Sequence, residues 1–464
     1  MVFTSHVFLF LFLPLFLAVY YVSPFRLRSG IILVFSYFFY GWWRPDFALL
    51  LAGVTLGTYW LTLLMESESW RDRRKLVLTL GVVGNLLALG YFKYFNFGMD
   101  SMNLLLAGLG VGPMVYSRVL LPIGLSFFIF QAISYMVDVY RGDAPVTQNV
   151  FDFAAFISFF PQLVAGPVLR YQPLADQFRE RVHSWSHFSH GCLLFMAGFS
   201  GKVLIADPMN PLVESAFSVA APTMADAWLG ALAYTIQLFF DFSGYSTMAI
   251  GLGLMVGFQF PKNFNDPYVS ASITEFWRRW HISLSTWLRM YLYVPLGGNR
   301  KGSVRTYVNL MATMVLGGLW HGANWTFIVW GFWHGGLLAL ERYWRSKFPR
   351  PMLPRWVAVL FTLVLVMIGW VFFRAVNVTA ALTMLTAMFG LSGGWSLTFS
   401  PSMAWQVVPE RLWVMAVGGL LVFALPWVKR SVVGRARLLI LPIFVWAVAT
   451  LSSQAFTPFL YFQF

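Results

Sequence analysis

Six polar side chains stand out because little around them in the sequence can share their charge or hydrogen bonds. His321, Asn324 and His334 fall in Leu316 to Gly336, L-G-G-L-W-H-G-A-N-W-T-F-I-V-W-G-F-W-H-G-G, an otherwise apolar and aromatic stretch. No charged residue lies within six positions of either histidine. Gln237 and Asp241 sit in a second apolar run, Y-T-I-Q-L-F-F-D-F-S-G-Y-S, and His281 follows in F-W-R-R-W-H-I-S-L-S-T-W-L-R. An ionisable group at membrane depth is expensive, which makes each a functional candidate. The competing structural use is a hydrogen bond between helices, or for Asp241 a local bond to Ser243 or Tyr245. A neutral imidazole is well matched to taking a proton near pH 7. Deprotonating a hydroxyl so that it attacks an acyl thioester needs such a base. It also needs a donor for the developing oxyanion, a role open to an asparagine or a second histidine. A proton-coupled transporter would use buried His and Asp as well.

Other chemistries lack their parts. Cys192 is the sole cysteine, so neither a disulfide framework nor a cysteine metal site can form within one chain. There is no G-x-S-x-G elbow, no Walker loop and no dinucleotide fingerprint. His183, His187 and His190 recur at helical spacing and could form a metal face. No acid flanks them and the surroundings are polar and serine-rich, which reads instead as a solvated helix face with no metal.

The elements that hold these residues must be helices in lipid. Of 464 residues, 59% are hydrophobic and 11% charged, against about 25% charged in soluble domains. Apolar segments recur with no long polar block between them. This predicts an all-α polytopic membrane protein with a single membrane domain over residues 1–464. The net charge of +14 is spread over short loops, the signature of topology and not of nucleic-acid binding. Of the 32 basic residues, all but Arg44, Lys93, Arg118, Lys202, Arg374 and Arg411 fall in loops read as inner. That asymmetry predicts an even number of crossings, about twelve at roughly 20 residues per span.

Along the chain, Val7 to Val22 reads as a retained first span, because no basic n-region precedes it. Gly41-Trp42-Trp43-Arg44-Pro45 breaks the next run into a hairpin. Further spans are expected at Leu76 to Phe95, Val119 to Tyr140, Gly191 to Ala206 (with Lys202 inside it), Trp228 to Gly257, Trp356 to Phe373, Leu412 to Val428 and Leu438 to Leu451. Phe151 to Val168, with Pro161 and Gly166-Pro167, reads as a broken or re-entrant helix. Asp207 to Asp226 reads as an outer loop. Glu275 to Tyr293 reads as one amphipathic helix, with Trp277, His281, Leu284, Leu288 and Tyr291 within roughly 80° of each other at about 100° per residue. The arginines beside His281 could attract a phosphate-bearing donor from the cytoplasm. Thr306 to Glu341 is too long for one span and should break near Gly322 to Trp325, leaving His321 at the interruption.

Three motifs carry a resemblance. F-W-R-R-W-H-I-S-L-S-T-W-L-R from Phe276, L-G-G-N-R-K-G from Leu296 and L-G-G-L-W-H-G-A-N-W-T from Leu316 resemble the membrane-bound O-acyltransferase family. The likeness extends over nearly the whole chain, through S-Y-F-F-Y-G-W-W, D-F-S-G-Y-S and the terminal F-T-P-F-L-Y-F-Q-F. Within the family it is nearest to bacterial exopolysaccharide acetylases. The resemblance implies many helices around a buried tunnel, with the family's essential histidine at His321 and a second tunnel-facing polar position at His281. Asp241, Asn324, Gln237 and Trp320 are the further substrate-binding candidates, and His334 is read as structural. It also implies a bacterial inner-membrane enzyme with no bound cofactor. Acetyl-CoA would be the cytoplasmic donor, and the acceptors would be SGNH-like periplasmic proteins serving an exopolysaccharide synthesis complex. Relatives of the alginate type usually carry acids where this chain has Thr247 and Met290, so alginate and cellulose both stand as the polymer. A transporter or flippase without bond-making chemistry, or a scaffold, are the rival classes.

Overall fold

A backbone without water must close its own hydrogen bonds, and helices do this within one segment. All regular elements among the described residues of the computed structural model are helical. Those residues are 1–348, 353–392, 394–424, 426, 439–453 and 459–460. Arg350, Lys429, Arg430, Arg435 and Arg437, the adjoining ends of the last two expected spans and most of the terminal F-T-P-F-L-Y-F-Q-F lie outside them.

One compact unit comprises Met1–Phe195 and Met248–Pro261. Its helices are α1 (Leu13–Val22), α2 (Arg28–Gly41), α3 (Pro45–Glu66), α4 (Arg74–Leu89), α5 (Phe95–Gly108), α6 (Leu125–Arg141), α7 (Val150–Ser158), α8 (Phe160–Leu163) and α9 (Ala175–Arg179). The expected hairpin at Gly41–Pro45 is present: α2 stops at Gly41 and Pro45 opens α3, where its missing N–H costs nothing. The segment after Val150 is broken as expected, with α7 and α8 interrupted at Phe159 and buried. Two boundaries differ from expectation. α4 runs through a π turn into α5, extending the helix to Gly108, and α6 begins only at Leu125, after Pro122 and Gly124. Phe3, Phe8, Phe12, Phe16, Phe39 and Phe160 form an aromatic core in this unit.

The second unit comprises Met196–Thr247 and Lys262–Phe464. α10 (Trp185–Gly201) and a 32-residue α12 (Met224–Met255) contribute to both units. Between them lies α11 (Asp207–Ser218), followed later by α13 (Ile273–Arg279), α14 (Ile282–Leu288), α15 (Ser303–His321), α16 (Trp325–Lys347), α17 (Arg355–Arg374), α18 (Val378–Met388), α19 (Pro401–Ala404), α20 (Pro409–Gly419) and α21 (Ile440–Ser453). Asp207 to Ser218 is therefore helix, not outer loop. Pro208 and Pro211 lack N–H donors, and the chain widens into a π turn over Lys202–Ala206 just ahead of them, so the helix continues.

Among the described residues, five helices are long and apolar enough to cross a membrane: Pro45–Glu66, Glu68–Gly108, Trp185–Ser218, Met224–Met255 and Arg355–Arg374. Phe8–Val22, Val378–Met388 and Ile440–Ser453 are apolar but shorter.

α15 and α16 form a tightly packed antiparallel hairpin. A Cβ on Gly318 would lie 2.2 Å from the Phe327 carbonyl oxygen, so only glycine lets the two backbones approach this closely. The hairpin bend, Gly322–Asn324, is where the sequence predicts the break.

Candidate active site

His321 is the last residue of α15 and is 5% exposed. Its ring packs edge-on against Trp320, Trp330 and Phe373, with centroids 5.0, 5.2 and 5.0 Å away. Gly322 follows in extended conformation, beneath the Phe327 ring.

Two cavities meet at this histidine. The larger, about 280 Å³, is lined by Trp277, Leu284, Leu288, Tyr293, Met314 and Gly317, with Arg278 and Arg289 at its exposed rim and His321 and Trp330 inside. The smaller, about 20 Å³, is lined by Asp241, Phe242, Trp280, Trp370 and Leu460, again with His321 and Trp330. A space of that size holds one water. His321 and Trp330 line both.

His281 is fully buried, and its ring centroid is 6.3 Å from that of His321. Phe242 and Trp320 flank it at 4.7 and 5.9 Å. Neither ring nitrogen has a hydrogen-bond partner among the described residues. Burial pushes its pKa down to about 3, so the ring is neutral at physiological pH. It lines neither cavity.

The continuous helix expected over Glu275 to Tyr293 is corrected. α13 ends at Arg279, and His281 occupies the left-handed region with φ 43° before α14 begins. The cause is the strand of chain at 263–265, which takes over the hydrogen bonds that a helix would have made. Ile282 N–H donates to the Asn263 carbonyl at 2.9 Å, and Ser283 N–H and hydroxyl donate to its side-chain oxygen at 3.2 and 2.9 Å. Asn265 N–H donates to the Arg279 carbonyl at 2.9 Å. Ser272 caps α13, its hydroxyl accepting from Glu275 N–H at 3.1 Å. Trp277, Leu284 and Leu288 of the expected apolar stripe still share one face, which lines the larger cavity.

The remaining candidates divide. Asp241 reaches the smaller cavity, but its main partner is neither Ser243 nor Tyr245. One carboxylate oxygen lies 2.5 Å from Lys202 Nζ, and the other accepts from Leu460 N–H at 3.0 Å. Lys202 also lies 2.5 Å from Asp207. Trp320 is buried beside both histidines. Asn324 lines neither cavity. It caps α16 by accepting from Thr326 N–H at 3.1 Å, and its amide donates to the Val376 carbonyl at 3.0 Å. Gln237 donates to Asn210 at 3.1 Å, away from both cavities. His334 is fully buried among Phe276, Trp277, Trp330 and Trp370 and lines neither cavity.

No group of three metal-binding side chains occurs among the described residues. His183 precedes α10 and contacts Tyr20 and Arg28, so the three spaced histidines do not share one helical face.

Sequence reasoning passed over two residues. Trp330 lines both cavities, and its buried indole N–H has no hydrogen-bond partner among the described residues. Lys202 could have been matched to Asp241 by the rule that intramembrane charges pair with one another.

A histidine that lines two cavities has room on one side, below a cationic rim, for an elongated ligand and on the other for a group the size of a hydroxyl. Residues 117–382 match the profile of the MBOAT, membrane-bound O-acyltransferase family. Over the full length of both chains, the protein is 51% identical to a probable alginate O-acetylase AlgI of Azotobacter vinelandii and 52% identical to that of Pseudomonas putida. It is 36% identical to a peptidoglycan O-acetyltransferase of Helicobacter pylori, over 85% of this chain and 80% of that one. The profile match over more than half of the chain and the full-length identity to these enzymes place this integral membrane protein in the membrane-bound O-acyltransferase family.

Proposed function

We propose that the protein is an O-acetyltransferase of the bacterial inner membrane that supplies acetyl groups to alginate. The observation that carries the reading is the position of His321, shared by two cavities of unequal size and character. Acetyl-CoA is the donor. Its phosphates meet Arg278 and Arg289 at the rim, and its acylated arm lies along the apolar larger cavity toward His321. On the Asp241 side, where the smaller cavity has room for the hydroxyl alone, His321 takes the proton of an acceptor hydroxyl. The hydroxyl oxygen bonds to the thioester carbonyl carbon, and the charge on the carbonyl oxygen is met by the Trp330 N–H. Collapse breaks the carbon–sulfur bond, the proton on His321 goes to the departing thiolate, and an acetyl ester remains. His281, neutral and buried, positions the Trp320–His321 pair from behind.

Acetyl groups then pass to SGNH-like periplasmic proteins of the exopolysaccharide synthesis complex. About twelve crossing or re-entrant segments enclose the two cavities as one tunnel. The full-length relatives support alginate over cellulose as the polymer.

The test uses purified protein in nanodiscs with radiolabelled acetyl-CoA. His321→Ala is expected to abolish donor consumption while leaving membrane insertion and monodispersity intact. Undiminished consumption in that variant would remove His321 as the base. Movement of acetyl-CoA or lipid precursor without any bond cleavage would favour a transporter.

A further inference from the structure

Three basic side chains converge in the first unit; Asp152 acts on Arg181 only from beyond ion-pair distance. The Arg28 guanidinium lies 4.9 Å from the Tyr20 ring and 5.9 Å from the Phe25 ring. That of Arg181 lies 4.9 Å from the same Phe25 ring and 4.5 Å from Phe258. His183 Nε2 is 3.0 Å from Tyr20 Oη and 3.1 Å from Arg28 Nη1. Among the described residues neither arginine forms an ion pair.

Arg181 is only 8% exposed. Its Nη1 donates to the Gln177 carbonyl at 3.3 Å and the Tyr20 hydroxyl lies near the guanidinium, while Nε and Nη2 have no partner in good hydrogen-bond geometry among the described residues. Aromatic rings engage the face of a guanidinium and leave its edge N–H groups available. A buried charged donor without an acceptor is costly, and so are two cations sharing one aromatic ring. An in-plane anion with several oxygens relieves both, and phosphate fits the guanidinium fork. Burial, with Arg28 and Arg181 nearby, holds His183 below the ordinary histidine range.

We propose that Arg28, Arg181 and His183 bind a phosphate group, and that its source is the headgroup of an anionic phospholipid. The surroundings suit a lipid. Val22, Val182 and Trp185 are 87%, 67% and 79% exposed, apolar surface that acyl and glycerol groups can cover. Both chain segments are basic loops of the inner side by charge, where anionic headgroups attract such clusters. The residues are distinct from Arg278 and Arg289, and the site does not depend on the proposed reaction.

The test measures ligand retention by native mass spectrometry, and thermal unfolding in detergent, with phosphatidylglycerol, diacylglycerol and inorganic phosphate. Phosphatidylglycerol is expected to be retained and to raise the unfolding temperature, whereas diacylglycerol, which has no phosphate, does neither. Arg28→Gln and Arg181→Lys should each weaken retention about tenfold, as expected for loss of one charge-assisted contact. Arg28 is only half-buried, so Arg28→Gln serves even where Arg181→Lys folds poorly. An Arg28-dependent shift with inorganic phosphate alone, and none with phosphatidylglycerol, would keep the site and make free phosphate its ligand. Equal phosphatidylglycerol retention by wild type and Arg28→Gln, or no response of wild type to either phosphate source, overturns the proposal.

Discussion

Lys202, Asp207 and Asp241 form a buried three-charge cluster whose arithmetic makes an unusual prediction. Lys202 Nζ lies 2.5 Å from each carboxylate, and the side chains are 1%, 8% and 3% exposed. The cluster carries one negative charge more than positive. Asp241→Asn leaves a neutral Lys202–Asp207 pair, and the new amide oxygen can still accept from Leu460 N–H. The loss is then one charge-assisted contact, about 1–2 kcal/mol. Lys202→Met leaves two buried carboxylates with no cation, and removing one partner of a buried pair costs about 3–5 kcal/mol. Adding Asp241→Asn to Lys202→Met removes one of those two charges, and a lone carboxylate can take up a proton instead of standing bare. Asp241→Asn is therefore destabilising in the wild-type background and stabilising in the Lys202→Met background. The assay is the half-life of monodisperse protein at a fixed elevated temperature, because unfolding of such proteins is governed by rate. A difference of about 2–3 kcal/mol between the single variants corresponds to roughly thirty- to over a hundredfold in half-life where the cluster is fully broken at the barrier. A double variant as short-lived as Lys202→Met, or shorter, would refute the charge argument.

Three further outcomes follow from the geometry. Trp330→Phe keeps the ring between the two cavities and deletes its N–H; kcat for acetyl transfer is expected to fall about a hundredfold with KM little changed, as for loss of an oxyanion donor, and an unaltered kcat removes Trp330 from that role. Gly318→Ala places a methyl 2.2 Å from a backbone oxygen that cannot rotate away, whereas Gly336→Ala meets nothing within 4 Å; the first should cost about 1–3 kcal/mol or more and lower the unfolding temperature, and the second should be silent. His281 is held near pKa 3 by burial and is near 6.5 when unfolded. Above pH 6.5 both states are neutral, and as pH falls below it the unfolded chain takes up a proton that the folded one refuses, so stability is lost progressively toward pH 3. His281→Asn, whose side chain tolerates the left-handed backbone, should flatten that loss in unfolding scans taken between pH 8 and about 5.

What could be read in the sequence was set by local chemistry, and what could not was set by partners from elsewhere in the chain. Pro45 and the Gly322–Asn324 bend announce themselves, because a missing N–H or a small-residue break acts on its own segment. The turn at His281 does not, because Asn263 and Asn265 impose it from another part of the chain, and a periodicity argument assumes that the helix continues. Lys202 and Asp241 were visible as charges in successive apolar helices, but their register was not, and neither was the help Asp241 gives to Leu460. Asn324 shows the reverse error: amide chemistry suits an oxyanion, yet both ends of this amide hold the α16 cap and the Val376 carbonyl. His321 and His334 make the point most sharply. Both lie far from any charge in the sequence, and both are buried in the fold. Isolation by itself therefore nominates them equally. What separates them is space: His321 closes two cavities, one with a basic rim, while four aromatic rings pack around His334. A buried imidazole does acyl chemistry only where donor and acceptor can reach it, so it is the shape around His321, and not its residue type, that argues for it as the base.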